Sequence, residues 1–173
     1  MADSNLLESL YVFQGIPVRW LDELLRLSPV RAWQRGTTLF EEGDSADVAV
    51  LLVSGELFAT VGAGQGVRNI GTIRPGEVVG EQALFARKGR RNASVIAEVD
   101  SVGLLLTEDV LVEGANNPAI VALERQLLGT MARRIRRADL EMKRAWKDQT
   151  GSTEVQRASS FRESVRRIFG GWK

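Results

Sequence analysis

The 173-residue chain contains no cysteine and no histidine. Without cysteine there is no disulfide framework, no thiolate nucleophile and no thiolate metal site. Without histidine, His-based triads, His-ligated metals and the usual general base at neutral pH are excluded. An enzyme is therefore not expected, nor a metal centre, nor a cofactor. Long apolar runs are missing too, and no window of about 20 apolar residues is available to span a bilayer. The first residues, MADSNLLESL, carry acidic side chains where a secretory signal needs basic ones. The expected location is the cytoplasm.

What is present has the balance of a globular protein, with 44% hydrophobic and 26% charged residues. The formal net charge is only +1, but it is unevenly spread. Residues 1–118 hold 10 basic and 16 acidic side chains, and residues 119–173 hold 13 basic and 6 acidic. The basic end suits an anionic membrane, an acidic protein surface or nucleic acid, or is simply a solvated helix face.

Residues 1–29 read as a helical segment. Leu6, Leu7, Leu10 and Phe13 recur at helical spacing, Gly15-Ile16-Pro17 interrupts them, and Trp20, Leu21, Leu24, Leu25 and Leu27 resume the pattern. From Val30 the texture changes to short strand-like runs punctuated by glycine: 30–33, 37–40, 48–53, 56–61, 67–73, 78–79, 92–99 and 102–107. Ser54-Gly55 marks a tight hairpin. Eight short strands at this spacing predict a mainly β fold over residues 30–117, an eight-stranded jelly-roll barrel with flanking helices. Residues 108–114 predict a short helix. Asn117 is a fitting N-cap, and Pro118 a fitting first residue, for a long helix over 118–147. Its apolar positions, Ile120, Leu123, Leu127, Met131, Ile135, Ala138 and Met142, step by three or four. A helix of about 28 residues reaches roughly 40 Å, beyond what so small a barrel covers, so a second copy of the chain is the expected partner of the overhang. Residues 148–160 are polar and aperiodic and predict a flexible linker. Residues 161–173 form a basic amphipathic tail, suited to an anionic membrane surface or to a partner protein.

The informative stretch is PGEVVGEQALFARKGRRNASV, residues 75–95. Gly80 allows close backbone approach. Gln82 to Phe85 predicts one helical turn, whose first amides suit an anion. Arg91 supplies a planar, permanent cation for phosphate oxygens. Glu81 would repel that anion if aimed at it, so it is expected to accept hydrogen bonds from a sugar hydroxyl instead. Carboxylate and guanidinium together describe a nucleotide. Ser94 reaches the phosphate or a base edge, and Ala83 and Ala93 leave room for a ring. The extra charges Arg87, Lys88 and Arg90 leave a ligand with two phosphates open.

GEQAL followed by RKGRRNASV resembles the phosphate-binding cassette of cyclic-nucleotide-binding domains, as in catabolite activator protein and protein kinase A regulatory subunits. That pattern is Gly-Glu-aliphatic-Ala/Gly-Leu, a spacer, then Arg-small-Ala-Ser/Thr/Trp-Val. Upstream, RGTTLFEEGDSADVAVLLVSGEL resembles the family's first strands, with Gly36, Gly43, Asp44 and Gly55 at turns. The resemblance spans about Leu6 to Arg137. It implies that Glu81 binds the ribose 2′-hydroxyl and Arg91 the cyclic phosphate. Backbone groups of Gly80, Gln82 and Ala83 would line the sugar-phosphate, Asn92 and Ser94 would add polar contacts, and the helix from Pro118 would act as a lid or dimer interface. Gln82 departs from the pattern, which has an aliphatic residue there.

The expected function is a sensor of cyclic AMP or cyclic GMP that signals through an unidentified protein effector, as a homodimer through 118–147. Cyclic di-GMP is an alternative ligand, and a non-sensing interaction module an alternative role. The 26 residues after Lys147 are fewer than a winged helix-turn-helix needs, so nucleic acid is not an expected partner. The tail leaves open a peripheral contact with the inner face of the membrane.

Overall fold

In the computed structural model, residues 4–62, 64–85 and 89–169 are described, with side chains described as far as residue 146 except at position 65. Two compact units are present, one ending at Leu127 and one beginning at Leu128.

The first unit is a β-roll flanked by helices. Among the described residues, ten strands form it, all paired antiparallel: β1 Val30–Trp33, β2 Thr38–Phe40, β3 Ser45–Ala46, β4 Ala49–Ser54, β5 Leu57–Val61, β6 Arg68–Ile73, β7 Val78–Val79, β8 Gly89–Arg90, β9 Ser94–Ala97 and β10 Ser101–Leu106. One sheet has the order β1-β10-β4-β7 and the other β2-β9-β5-β6, while β3 and β8 make a two-stranded ribbon. The jelly-roll expectation holds, but the count is ten rather than eight. The two strands that the sequence does not betray, β3 and β8, pair with each other over two residues each. A two-residue ladder has no alternation to read.

Strand β4 explains how the layers hold together. Its run AVLLV is buried throughout, because alternate residues face opposite directions. Ala49, Leu51 and Val53 join a cluster with Phe13, Leu21, Leu24, Leu104 and the helical residues Ile120 and Leu123. Val50 and Leu52 join the other cluster with Trp33, Leu57, Val95 and Ala97. A strand buried on both faces reads as a continuous apolar run.

The helical segment predicted over residues 1–29, with its interruption at Gly15-Ile16-Pro17, consists of α1 Ser4–Glu8, a 3-10 turn Tyr11–Phe13 and α2 Val18–Leu27. After β10 comes α3 Glu108–Glu113, whose Thr107 cap accepts from the Val110 amide. Helix α4 runs from Pro118 to Phe169. Its predicted start is met: the Asn117 side-chain carbonyl accepts from the Ala119 amide at 2.8 Å, while the Asn117 amide donates to the Trp20 carbonyl at 2.9 Å. Its predicted end is not. The backbone is helical through 148–160, where the sequence predicts a linker, and on through 161–169. The segment has no proline, and its Glu, Gln, Arg and Ala residues are good helix formers. Apolar periodicity there is missing from the sequence, but the backbone helix does not need it. The amphipathic face read over 161–173 lies outside the described side chains. Among the described residues, no helix is long and apolar enough to cross a membrane.

The tight turn at Ser54-Gly55 is present, but it is not the expected hairpin: β4 and β5 lie in different sheets, and the turn passes the chain from one to the other through Gly55. Its φ is +95°, and a Cβ added there would sit 2.7 Å from the Asp100 carbonyl oxygen and the Ser101 Cα, which are backbone atoms that cannot rotate away. Left-handed strain costs a non-glycine residue about 1–2 kcal/mol, and overpacking adds about 1–3. Gly55→Ala is therefore expected to lower unfolding free energy by about 2 kcal/mol or more in urea titration, with an unchanged m-value.

Candidate functional site

The site grows from the end of β7. Val79 pairs with Val50, and the chain then turns through Gly80 into a 3-10 turn, Glu81–Leu84. The predicted helical turn is thus present, shifted one residue earlier. Gly80 has φ +76°, and a Cβ on it would lie 2.6 Å from Arg91 Nη1 and 3.0 Å from Phe40 Cε2. Only glycine lets the turn lie against this guanidinium.

Arg91 is brought to the turn by backbone pairing. Its amide donates to the Asp44 carbonyl, and its carbonyl accepts from the Gly43 amide, both at 2.8 Å. The β3–β8 ladder, with Ser45 opposite Arg90, extends the same register. The Arg91 side chain is 5% exposed, with Nη2 3.7 Å from an Asp47 carboxylate that is itself 85% exposed. Its Cζ lies 3.6 Å from the centroid of the Phe40 ring. Nη1 is buried and has no hydrogen-bond partner among the described residues. Burial pulls this guanidinium below its ordinary pKa, and Asp47 and then Asp44 oppose the shift. It remains a cation at neutral pH, but an under-paired one.

Glu81, 4% exposed, opens the turn beside it. Two buried charged groups, one of each sign, therefore sit at one turn of this unit. The Ala83 amide donates to the Gly80 carbonyl at 3.0 Å and is engaged within the turn. The Asn92 amide donates to the Gln82 side-chain carbonyl at 2.8 Å, and the Ser94 hydroxyl accepts from the Glu42 amide at 3.0 Å. All seven residues singled out in the sequence thus lie on the turn or on the segment from Arg91 into β9. Glu81 and Arg91 form its buried part with the half-buried Gly80 between strand and turn, and Asn92 and Ser94 hold neighbouring loops. Arg90 is committed elsewhere, donating to the Gly43 carbonyl at 2.7 Å. Arg87 and Lys88 lie outside the described residues.

Sequence reasoning missed Phe40 and Asp47. Phenylalanine on an alternating strand reads as core, and nothing in the local sequence ties Asp47 to an arginine 44 positions away. Among the described residues, no group of three or more acidic side chains is placed to hold a metal.

Residues 30–116 match the family model described as cyclic nucleotide-binding domain. The chain is 34% identical, over 76% of its length and 60% of the relative's, to the cyclic AMP receptor protein of Thermus thermophilus. It is 33% identical, over 74% of its length and 56% of the relative's, to a CRP-like cAMP-activated global transcriptional regulator of Mycobacterium tuberculosis. The crystal structure of Thermus thermophilus catabolite activator protein superposes with a TM-score of 0.63 at 30% identity, covering 76% of this chain and 61% of that one. The chain therefore spans a little over half the length of these curated relatives.

An under-paired buried cation is a stability liability. Arg91→Met fills the same space without the charge, and is expected to leave ligand-free thermal stability unchanged or raised in calorimetry. A drop of several degrees would show that Asp47 already compensates the charge.

Proposed function

Because the chain belongs to the cyclic nucleotide-binding domain family, we propose that it senses a cyclic nucleoside monophosphate, gripping the cyclic phosphate with Arg91 and the ribose 2′-hydroxyl with Glu81. The observation that carries this reading is the buried Nη1 of Arg91, which has no partner among the described residues. A cyclic phosphate supplies what that group needs, namely a single negative charge on oxygens that accept in the guanidinium plane. Glu81 has only acceptor oxygens when ionised, so it suits a hydroxyl donor and not the phosphate. Cyclic AMP is favoured over cyclic GMP by the relatives described as responding to cyclic AMP. Cyclic di-GMP stays the alternative ligand: Arg90 donates to the Gly43 carbonyl, and Arg87 and Lys88, the other cations that a second phosphate would call for, lie outside the described residues. The ligand is bound and released unchanged, and the output is a contact with a protein partner.

A ligand that binds only the folded state stabilises it by RT ln(1 + [L]/Kd), about 2.7 kcal/mol at a hundredfold excess over Kd. Cyclic AMP is expected to raise the melting temperature of the wild-type chain, and Glu81→Ala and Arg91→Ala to abolish that rise. A full rise in both variants would overturn the site. No rise with cyclic AMP, cyclic GMP or cyclic di-GMP, from well-folded protein, would favour the non-sensing interaction module.

The second unit supports a homodimer through α4. Leu128, Ile135 and Met142 are 63%, 68% and 66% exposed and lie seven residues apart, with Trp146 (69% exposed) extending the stripe. Seven-residue spacing keeps apolar side chains on one helical face and suits pairing with a second helix. Sedimentation equilibrium is expected to give a dimer for the wild type and a monomer for Leu128→Glu/Ile135→Glu. A monomeric wild type at high micromolar concentration would remove this part of the reading.

A further inference from the structure

We propose that Phe40 is a positioning residue for the ligand, holding the Arg91 guanidinium in the one plane from which it meets the phosphate edge-on. This rests on the reading of Arg91 as the phosphate ligand. An arginine side chain has several rotatable bonds, and a bidentate contact needs the guanidinium plane fixed as well as its charge. The main chain at Arg91 is fixed by its bonds to Gly43 and Asp44, but these do not set the side-chain plane. Asp47 does not set it either, since its carboxylate is 85% exposed and 3.7 Å away.

The ring of Phe40 does. It lies 3.6 Å from Cζ and covers one face of the guanidinium. The ring is itself held on two sides. Phe40 stands opposite Val95 in the β2–β9 ladder, four residues after Arg91, and packs against the core between the two sheets. Gly80 then limits the Nη1 side, since its absent Cβ would touch both Nη1 and the ring. With one face on the ring, the guanidinium keeps its in-plane N–H groups for a ligand. Attraction to the ring also helps keep the charge in a site that burial makes costly.

Titration calorimetry with cyclic AMP separates this from a purely structural role. Phe40→Leu keeps the apolar packing and removes the flat face, so it is expected to weaken binding about tenfold. Phe40→Tyr keeps the ring and is expected to bind within about twofold of wild type. Phe40→Met serves as a second ringless variant if the branched side chain of leucine disturbs packing. The deciding measurement is the cycle with Arg91→Lys. Lysine has no plane to hold, so Phe40→Leu is expected to cost nothing further in that background. Unchanged affinity in both ringless variants, or an equal loss with Arg91 and with Lys at that position, would overturn the role of Phe40 and leave the sensor reading standing. Failure of the wild type to bind any cyclic nucleotide would overturn both.

Discussion

A guanidinium kept out of water, with one end lacking a hydrogen-bond partner among the described residues, is the constraint around which the β-roll is arranged. Under-compensated buried charge is expensive, and the Asp47 carboxylate near Arg91 Nη2 stands in solvent at 3.7 Å, where its attraction is screened. The neighbouring structure prevents the side chain from escaping. Backbone bonds to Gly43 and Asp44 hold its root, the Phe40 ring closes one face, and the glycine at position 80 allows the turn to close over Nη1. In the ligand-free state these features keep an energetic deficit that a bound anion would relieve. Affinity for an anion and reduced stability without one are then two readings of the same arrangement.

The position of that arrangement also links it to the helices. The turn hangs from β7, and β7 is paired to β4. The opposite face of β4 packs in the same cluster as Ile120 and Leu123 of α4. A second tie is polar: the Gln126 amide on α4 donates to the Gly76 carbonyl at 2.8 Å and also bonds the Tyr11 hydroxyl. Gly76 begins the same segment that turns at Gly80. The start of α4 is thus fastened to the site-bearing strand through the core and to the site-bearing segment through Gln126. Leu127 is the last α4 residue in the buried core, so these ties end where the first unit ends.

The sequence disclosed those parts whose chemistry is local. Glycine punctuation and alternation located the long strands, because each strand's pattern is set by its own burial. Asn117-Pro118 located the start of α4, because capping is decided within a few residues. Glu81 stood out because it follows Gly80 in a largely apolar run, and Arg91 because RKGRRNASV after GEQAL resembles a phosphate-binding cassette. What escaped notice was decided at a distance. The β3–β8 ribbon exists because the chain returns, and neither half signals it alone. Phe40 has the residue type of a core position, and its guanidinium contact follows from the β2–β9 register. The far end of α4 escaped for another reason: apolar periodicity tells which face has a partner, whereas helix formation needs only residues that tolerate it.

Gln82 departs from the family pattern, and Asn92 answers it. A polar residue at 82, where an aliphatic one is usual, would by itself suggest a weakened turn. The two amides bond each other at 2.8 Å, joining the first part of the 3-10 turn to the residue that follows Arg91. Asn92 supplies the partner that Gln82 needs, so the bond braces the turn from the Arg91 side. The brace uses neutral groups, adding no repulsion to Arg91 and no second cation beside it. The brace therefore leaves Glu81 and Arg91, one of each sign, as the buried charges of the site among the described residues.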